Sequence, residues 1–237
     1  MWREMWVAGL GLMAVTACEV DKKDNEPDVT FDFQWRWIAD DSNVKAGFSD
    51  YPVGQDQFYE LASGWEALPT PLAGKAFKLR GNNHSDDLFM FAKRKLTGLQ
   101  KNARYDVHYT LKIASNAGKG CVGVGGAPGE GVTLKIGLTR NEPLSIQNGS
   151  NWLMNVDKGN QSVGGADAIA VGNLATVESN CNNNATWMFK TIDNHLSKFT
   201  VSTDDKGELW LLLGSDSGYE AVSTFYIADV LVQANRF

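Results

Sequence analysis

The stretch Asn82-Asn83-His84-Ser85-Asp86-Asp87 places four side-chain carbonyl or carboxyl groups, a hydroxyl and an imidazole in six consecutive residues. Calcium takes carboxylates and carbonyls from flexible loops, which makes Asp86 and Asp87 candidate metal ligands and calcium a possible but not a required cofactor. The competing chemistry is local: Asx side chains also bond their own turn. Glu130 and Asp157 sit in other polar, glycine-bearing loops, with Asn160 close behind the second. A fold that gathers loops at one edge would assemble Asn83, His84, Asp86, Asp87, Glu130, Asp157 and Asn160 into a ligand-binding cluster. Trp152, in a turn-rich context like Trp65 and Tyr219, is a candidate stacking platform, because an aromatic face covers the apolar side of a pyranose. Its alternative role is a lid on the core. Two of the carboxylates could also act as a glycosidase acid and base, which requires a defined separation between them.

Other motifs point away from catalysis. Gly118-Lys119-Gly120-Cys121-Val122-Gly123 has the spacing of a dinucleotide loop, but more glycine, Pro128 and a strand follow it where a helix N-terminus would have to receive the pyrophosphate. Ser217 has no G-x-S-x-G elbow around it. The 22 Lys and Arg against 28 Asp and Glu give a net charge of −6, without the basic footprint that neutralises phosphates, so nucleic acid is not an expected partner.

At the N-terminus Arg3 precedes an apolar run from Met5 to Val15, the length of a signal-peptide core and too short to span a bilayer. It ends in Val15-Thr16-Ala17-Cys18, which resembles the lipobox of bacterial lipoproteins, with Glu4 a departure in the charged region. That resemblance implies a signal peptide over 1–17, lipidation of Cys18, a flexible polar tether over 18–29, and a membrane attachment through the lipid alone. Glu19, rather than the Asp that marks inner-membrane retention in enteric bacteria, favours the outer membrane of the bacterial cell envelope. In an oxidising compartment the remaining Cys121 and Cys181 are expected to form a disulfide.

The elements that must position these groups are mostly strands. Phe31 to Trp37 and Tyr105 to Ile113 alternate apolar and polar residues, as does Val132 to Leu138, which is the signature of strands with one buried face. Leu209 to Leu213 and Phe225 to Val232 are apolar enough to be covered on both faces. Ala76 to Leu79 and Leu88 to Phe91 are shorter candidates. Gln57 to Ala62 suggests a turn or two of helix, and Met188, Ile192, His195, Leu196 and Phe199 mark a helical face in a segment that reads equally well as a strand. The expected fold is a single all-β sandwich over 30–237, of jelly-roll type, with two antiparallel sheets and little helix.

The order of these pieces is recognisable. Leu96-Thr97-Gly98-Leu99 leading to Tyr105, and the closing run Phe225-Tyr226-Ile227-Ala228-Asp229-Val230, resemble galactose-binding-like domains and carbohydrate-binding modules, although Ala228 departs from their usual ending. The segments Asn83 to Phe91, Gly123 to Glu130 and Asn155 to Gln161 are similar to those of uncharacterised exported bacterial proteins. The first resemblance implies non-catalytic binding of a glycan or another envelope component. The alternatives are a structural or protein-interaction lipoprotein without a small-ligand site, and a carbohydrate-active enzyme.

Overall fold

The computed structural model describes residues 31–177, 180–182, 185–194 and 197–237. The expected signal peptide, Cys18 and tether lie outside the described residues, as do His195 and Leu196. Alternation governs the strands: in β7 (Arg104–Ser115) Tyr105, Val107, Tyr109, Leu111 and Ile113 are buried, while the residues between them face outward. The strands before it are β1 (Phe33–Arg36), β2 (Lys45–Ser49), β3 (Tyr51–Pro52), β4 (Ala62–Ala67), β5 (Lys75–Asn82) and β6 (Leu88–Leu96). After it come β8 (Val132–Thr139), β9 (Ser145–Asn148), β10 (Asn151–Met154), β11 (Ile169–Asn173), β12 (Met188–Asp193), β13 (Phe199–Ser202), β14 (Leu209–Ser217) and β15 (Val222–Arg236).

One sheet runs β4-β5-β15-β7-β12, with β1 added to β15 and β13 to β7, and the other runs β2-β6-β14-β8-β11. β5 lies near β6, β12 near β11 and β13 near β8 across the gap, and the chain neighbours β5 and β6, β7 and β8, β11 and β12, and β14 and β15 sit in opposite sheets. This is a jelly-roll winding, and every ladder in it is antiparallel. The core between the sheets runs from Trp37 through Leu79, Met90, Tyr109, Leu134, Leu211 and Phe225 to Val232, with Trp35 and Trp65 packed on its margin.

Three sheets are present rather than two. The hairpin of β9 and β10, turning at Gly149 with a φ of 61°, pairs with β3 as a small third sheet. It packs beside β2, and the chain that follows it crosses the outer face of the second main sheet, where Val156, Ala168 and Met154 cover Phe89, Phe91 and Leu212. No helix occurs among the described residues, and so none long and apolar enough to cross a membrane. The helical turn expected at Gln57 begins, with the Tyr59 N–H donating to the Gln55 carbonyl at 2.9 Å, but Glu60 takes a φ of 49° and the chain straightens into β4. The ambiguous segment at 188–199 is strand, because β12 pairs residue by residue with β7 from Met188 opposite Ser115 to Asp193 opposite Thr110.

Candidate ligand-binding cleft

Strand register decides which loops meet. Asn82 at the end of β5 lies opposite Val222 at the start of β15, and Ser115 at the end of β7 opposite Met188 at the start of β12. In the other sheet the end of β14, Ser217, lies opposite both Leu88 and Val132, while Asn173 pairs with Thr133 and Ser49 with Phe89. The connections 50–61, 83–87, 116–131 and 218–221 and the described residues 174–177, 180–182 and 185–187 therefore share one end of the sandwich. They are stitched together there by backbone bonds: Gly218 N–H to the Gly131 carbonyl at 2.9 Å, Glu220 N–H to Val124 at 2.9 Å, Asn83 N–H to Ala221 at 3.1 Å and Leu174 N–H to Gly129 at 3.1 Å. The Cys121–Cys181 disulfide, with its Cα atoms 5.4 Å apart, ties two of the loops covalently.

Against this disulfide lies a cleft of about 510 Å³. Its aromatic walls are Trp187 and Tyr219. Trp187 is propped edge-on against Tyr226, ring centroids 5.2 Å apart. Tyr219 lies against the backbone of Gly123, where a Cβ would come within 2.4 Å of the ring, so glycine at 123 is what lets the loop close on it. The polar lining is made of amides, hydroxyls and one guanidinium: Asn116, Asn180, Asn182, Ser223, Thr224 and Arg80. Arg80 is held in place by Glu60 Oε2 at 2.5 Å and by the Thr224 hydroxyl at 3.4 Å. The Ser223 Oγ is buried and has no hydrogen-bond partner among the described residues. Amides both donate and accept, a guanidinium donates from a rigid fork and a hydroxyl does either, which is the set that orients a ligand rich in hydroxyl groups.

A second cavity of about 380 Å³ lies nearby, with Lys119, Glu130, Met188, Phe189 and Lys190 in its lining. Lys190 donates to the backbone and side-chain oxygens of Asn173 and to the Ala175 carbonyl, and burial pushes its ammonium below the ordinary lysine value. Glu130 belongs here: Oε1 accepts the Gly120 N–H at 2.7 Å, and Oε2 is buried without a partner among the described residues.

The other residues singled out in the sequence are distributed as follows. Asn83 is buried and fully engaged, its amide donating to the Ser217 and Tyr219 carbonyls at 2.7 and 3.1 Å while its oxygen accepts the Ser85 and Leu88 N–H groups. His84 is exposed and stacked on Phe58. Asp86 is exposed, with a φ of 58°, and its carbonyl accepts the Gln161 amide at 2.9 Å, which brings the 155–168 connection to the same end of the sandwich. Asp157 closes its own turn, accepting the Gly159 and Ala166 N–H groups, and the latter bond is the chief reason its carboxyl stays below the ordinary range. Asn160 is exposed in that same connection. Trp152 lies in the third sheet, half-buried on the margin of the main core.

Asp87 faces a buried charge network. Lys135 and Asp216, both entirely buried, meet at 2.8 Å; Lys158 reaches Asp216 at 2.8 Å and Asp50 at 3.1 Å. Desolvation pushes the Asp87 carboxyl up to about 6, against the pull of Lys158, and its Oδ1 is buried without a partner among the described residues. Among those residues no group of three or more His, Cys, Asp or Glu is arranged to hold a metal ion.

Arg80, Asn116, Asn180 and Trp187 were not among the sequence candidates. The available signal was the cysteine pair: joining Cys121 to Cys181 brings Asn180, Asn182 and Trp187 beside the glycine-rich loop at 118–131.

No protein-family model matches the chain, and no curated protein matches it in sequence. Among solved structures it is similar to the enzymatically active domain of tailspike protein 4 from bacteriophage CBA120, at 8% identity over 83% of this chain, with a TM-score of 0.33; this chain spans 20% of that one. It is also similar to a candidate sugar binding protein from Bacteroides thetaiotaomicron, at 10% identity over 80% of this chain and 87% of that one, with a TM-score of 0.40. A carbohydrate-binding module of the β-sandwich superfamily matches at 8% identity over 82% of this chain and 57% of that one, with a TM-score of 0.36. These are distant likenesses of shape.

Proposed function

We propose that the protein is an exported bacterial lipoprotein, anchored through Cys18 in the outer membrane of the cell envelope, whose sandwich binds a glycan without chemical turnover. The cleft against the disulfide carries this reading. It combines two aromatic walls, Trp187 and Tyr219, with the amides of Asn116 and Asn180, the Thr224 hydroxyl and the Arg80 guanidinium. Aromatic faces take the apolar side of a sugar ring while amides and hydroxyls fix its orientation. The polar lining offers hydrogen bonds rather than a pair of carboxylates. Phe31, the first described residue, packs by its ring on His108, whose strand partner is Gln233, at the end of the sandwich away from the cleft.

A second reading, a protein-interaction module, is favoured by Val122 and Val124, which stand exposed on the disulfide-pinned loop. The deciding experiment is isothermal titration of the full chain in detergent with neutral and acidic oligosaccharides, with and without calcium. Binding that falls at least tenfold in both Asn116→Ala and Trp187→Ala is expected. Binding by neither class of oligosaccharide, in either calcium condition, would transfer the assignment to protein interaction. A calcium-dependent affinity lost in Asp86→Ala would add the loop acids to the site.

A further inference from the structure

Phe58 is 59% exposed, an uncommon position for a phenyl ring, and it is not loose. One face lies on the His84 imidazole, centroids 4.1 Å apart at 22°, and Tyr59 meets the same imidazole edge-on at 5.3 Å. The turn beneath is fixed by Tyr59 N–H to Gln55 at 2.9 Å, Leu61 N–H to Asp56 at 3.2 Å and the Tyr51 hydroxyl to the Asp56 carboxylate at 2.8 Å. The loop carrying His84 is joined to the same region by Ser85 Oγ, which donates to the Asp50 carbonyl at 3.0 Å. What sets this ring apart from the other exposed apolar side chains is its support: with one face held on His84, its open face is preformed to stack on the apolar face of a ring.

That platform is continuous with the cleft. Arg80, which lines the cleft, bonds Glu60 Oε2 at 2.5 Å, and the other oxygen of Glu60 accepts the Asn82 amide at 2.9 Å. His84 lies close enough to Glu60 to help hold that carboxyl below its ordinary range, after the bonds from Asn82 and Arg80. Arg80 and Asn82 are two residues apart on one face of β5, about 7 Å at the usual rise of a strand. The sequence Trp187, Arg80, Glu60, Asn82, His84, Phe58 is thus a strip with an aromatic group at each end and an alternation of donors and acceptors between.

We infer that the Phe58–His84 pair is a distal subsite of the cleft, and that the ligand is an extended oligosaccharide chain lying along this strip rather than a single sugar. The inference rests on the proposed glycan-binding reading and specifies its ligand by length. Its test uses the full chain in detergent and three probes, the β-1,4-linked hexasaccharides of glucose, mannose and galactose, each compared with its trisaccharide by titration calorimetry. For the hexasaccharide that binds, Phe58→Ala is expected to lower affinity about tenfold, which corresponds to about 1.4 kcal/mol, and to leave trisaccharide affinity within twofold. Phe58→Trp should restore the hexasaccharide affinity, and His84→Ala should lower it in part, because the ring then loses its support. Since Phe58 is exposed, its truncation is not expected to unfold the protein, and a thermal melt of each variant verifies that. Equal affinities of hexa- and trisaccharide, or a hexasaccharide affinity that Phe58→Ala leaves unchanged while Trp187→Ala abolishes it, would overturn the distal subsite and leave the cleft standing. Binding of none of the three hexasaccharides would overturn this inference, and only the acidic probes of the preceding experiment would then bear on the cleft.

Discussion

Asp87 is a carboxyl group placed where ionisation is costly. Desolvation raises it to about 6 from 3.8, with Lys158 and Lys135 drawing it down and Asp216 and Asp50 pushing it up. The folded value exceeds the ordinary one, so the folded state favours the protonated acid. Below about pH 4 the group is neutral in both states and carries no penalty; as the pH rises through about 6 the folded protein must hold the charge, and stability is lost. At face value the shift is worth about 3 kcal/mol, which solvent screening at this partly exposed side chain reduces to about 1 kcal/mol. Asp87→Asn is therefore expected to raise the melting temperature at pH 8 and leave it nearly unchanged at pH 4. An equal shift at both pH values would show that the substitution acts by shape and not by charge. The residue types of this loop were legible in the sequence, but their division of labour was not. Asn83 turns inward to four backbone groups and frames the loop, His84 turns outward under Phe58, and Asp87 faces lysines some fifty and seventy residues further along the chain, a juxtaposition that no local spacing encodes.

The loop pair joined by Cys121 and Cys181 shows what a connection adds beyond its residues. Sixty positions separate the two cysteines, and in the chain-entropy account closing a loop of that size restricts the unfolded chain by about 4 kcal/mol. The same bond forms a wall of the cleft, so it serves stability and binding together. Cys121→Ser with Cys181→Ser is expected to lower unfolding stability by about 2–4 kcal/mol, read by urea denaturation, and to weaken oligosaccharide binding even where the protein remains folded. Full loss of stability with no change in affinity would mean that the stitching of Gly218 to Gly131 and Leu174 to Gly129 holds the cleft unaided. The pairing was expected from the compartment and the cysteine count, and the strands followed from alternation. What misled was the short-range pattern: Gln57 to Ala62 has the composition of a helical turn and makes its first hydrogen bond, but a left-handed Glu60, bonded to Arg80 and Asn82 on β5, redirects the chain into β4. Tertiary partners decided it.

The two outer faces of the sandwich are unequal, and the difference explains where the sequence pattern ran out. In β8 the residues Thr133 and Lys135 alternate with Val132, Leu134 and Ile136 and read as the watered side of a strand, yet Lys135 is wholly buried because the 155–168 connection crosses above it. That covering is a long-range event, and only its product is visible: Lys135 donates to the Lys158 and Val163 carbonyls at 2.9 and 3.0 Å and to Asp216 at 2.8 Å, so all three of its protons are used. Asp216 thereby ties the sheet to its cover through two ammonium groups, Lys135 and Lys158, while its Oδ1 stays without a partner among the described residues. Buried pairs of this kind add little over a well-packed apolar pair, but losing one member strands a charge. Asp216→Leu alone is accordingly expected to cost about 3–5 kcal/mol in urea denaturation, whereas Asp216→Leu combined with Lys135→Met should recover most of that loss, since Lys158 retains Asp50 at 3.1 Å. A single variant costing less than about 1 kcal/mol, well below the range for a stranded buried charge, would show that water reaches the network. A double variant no more stable than the single would place the burden on Lys158, and with it the hold of the 155–168 connection on the sheet beneath.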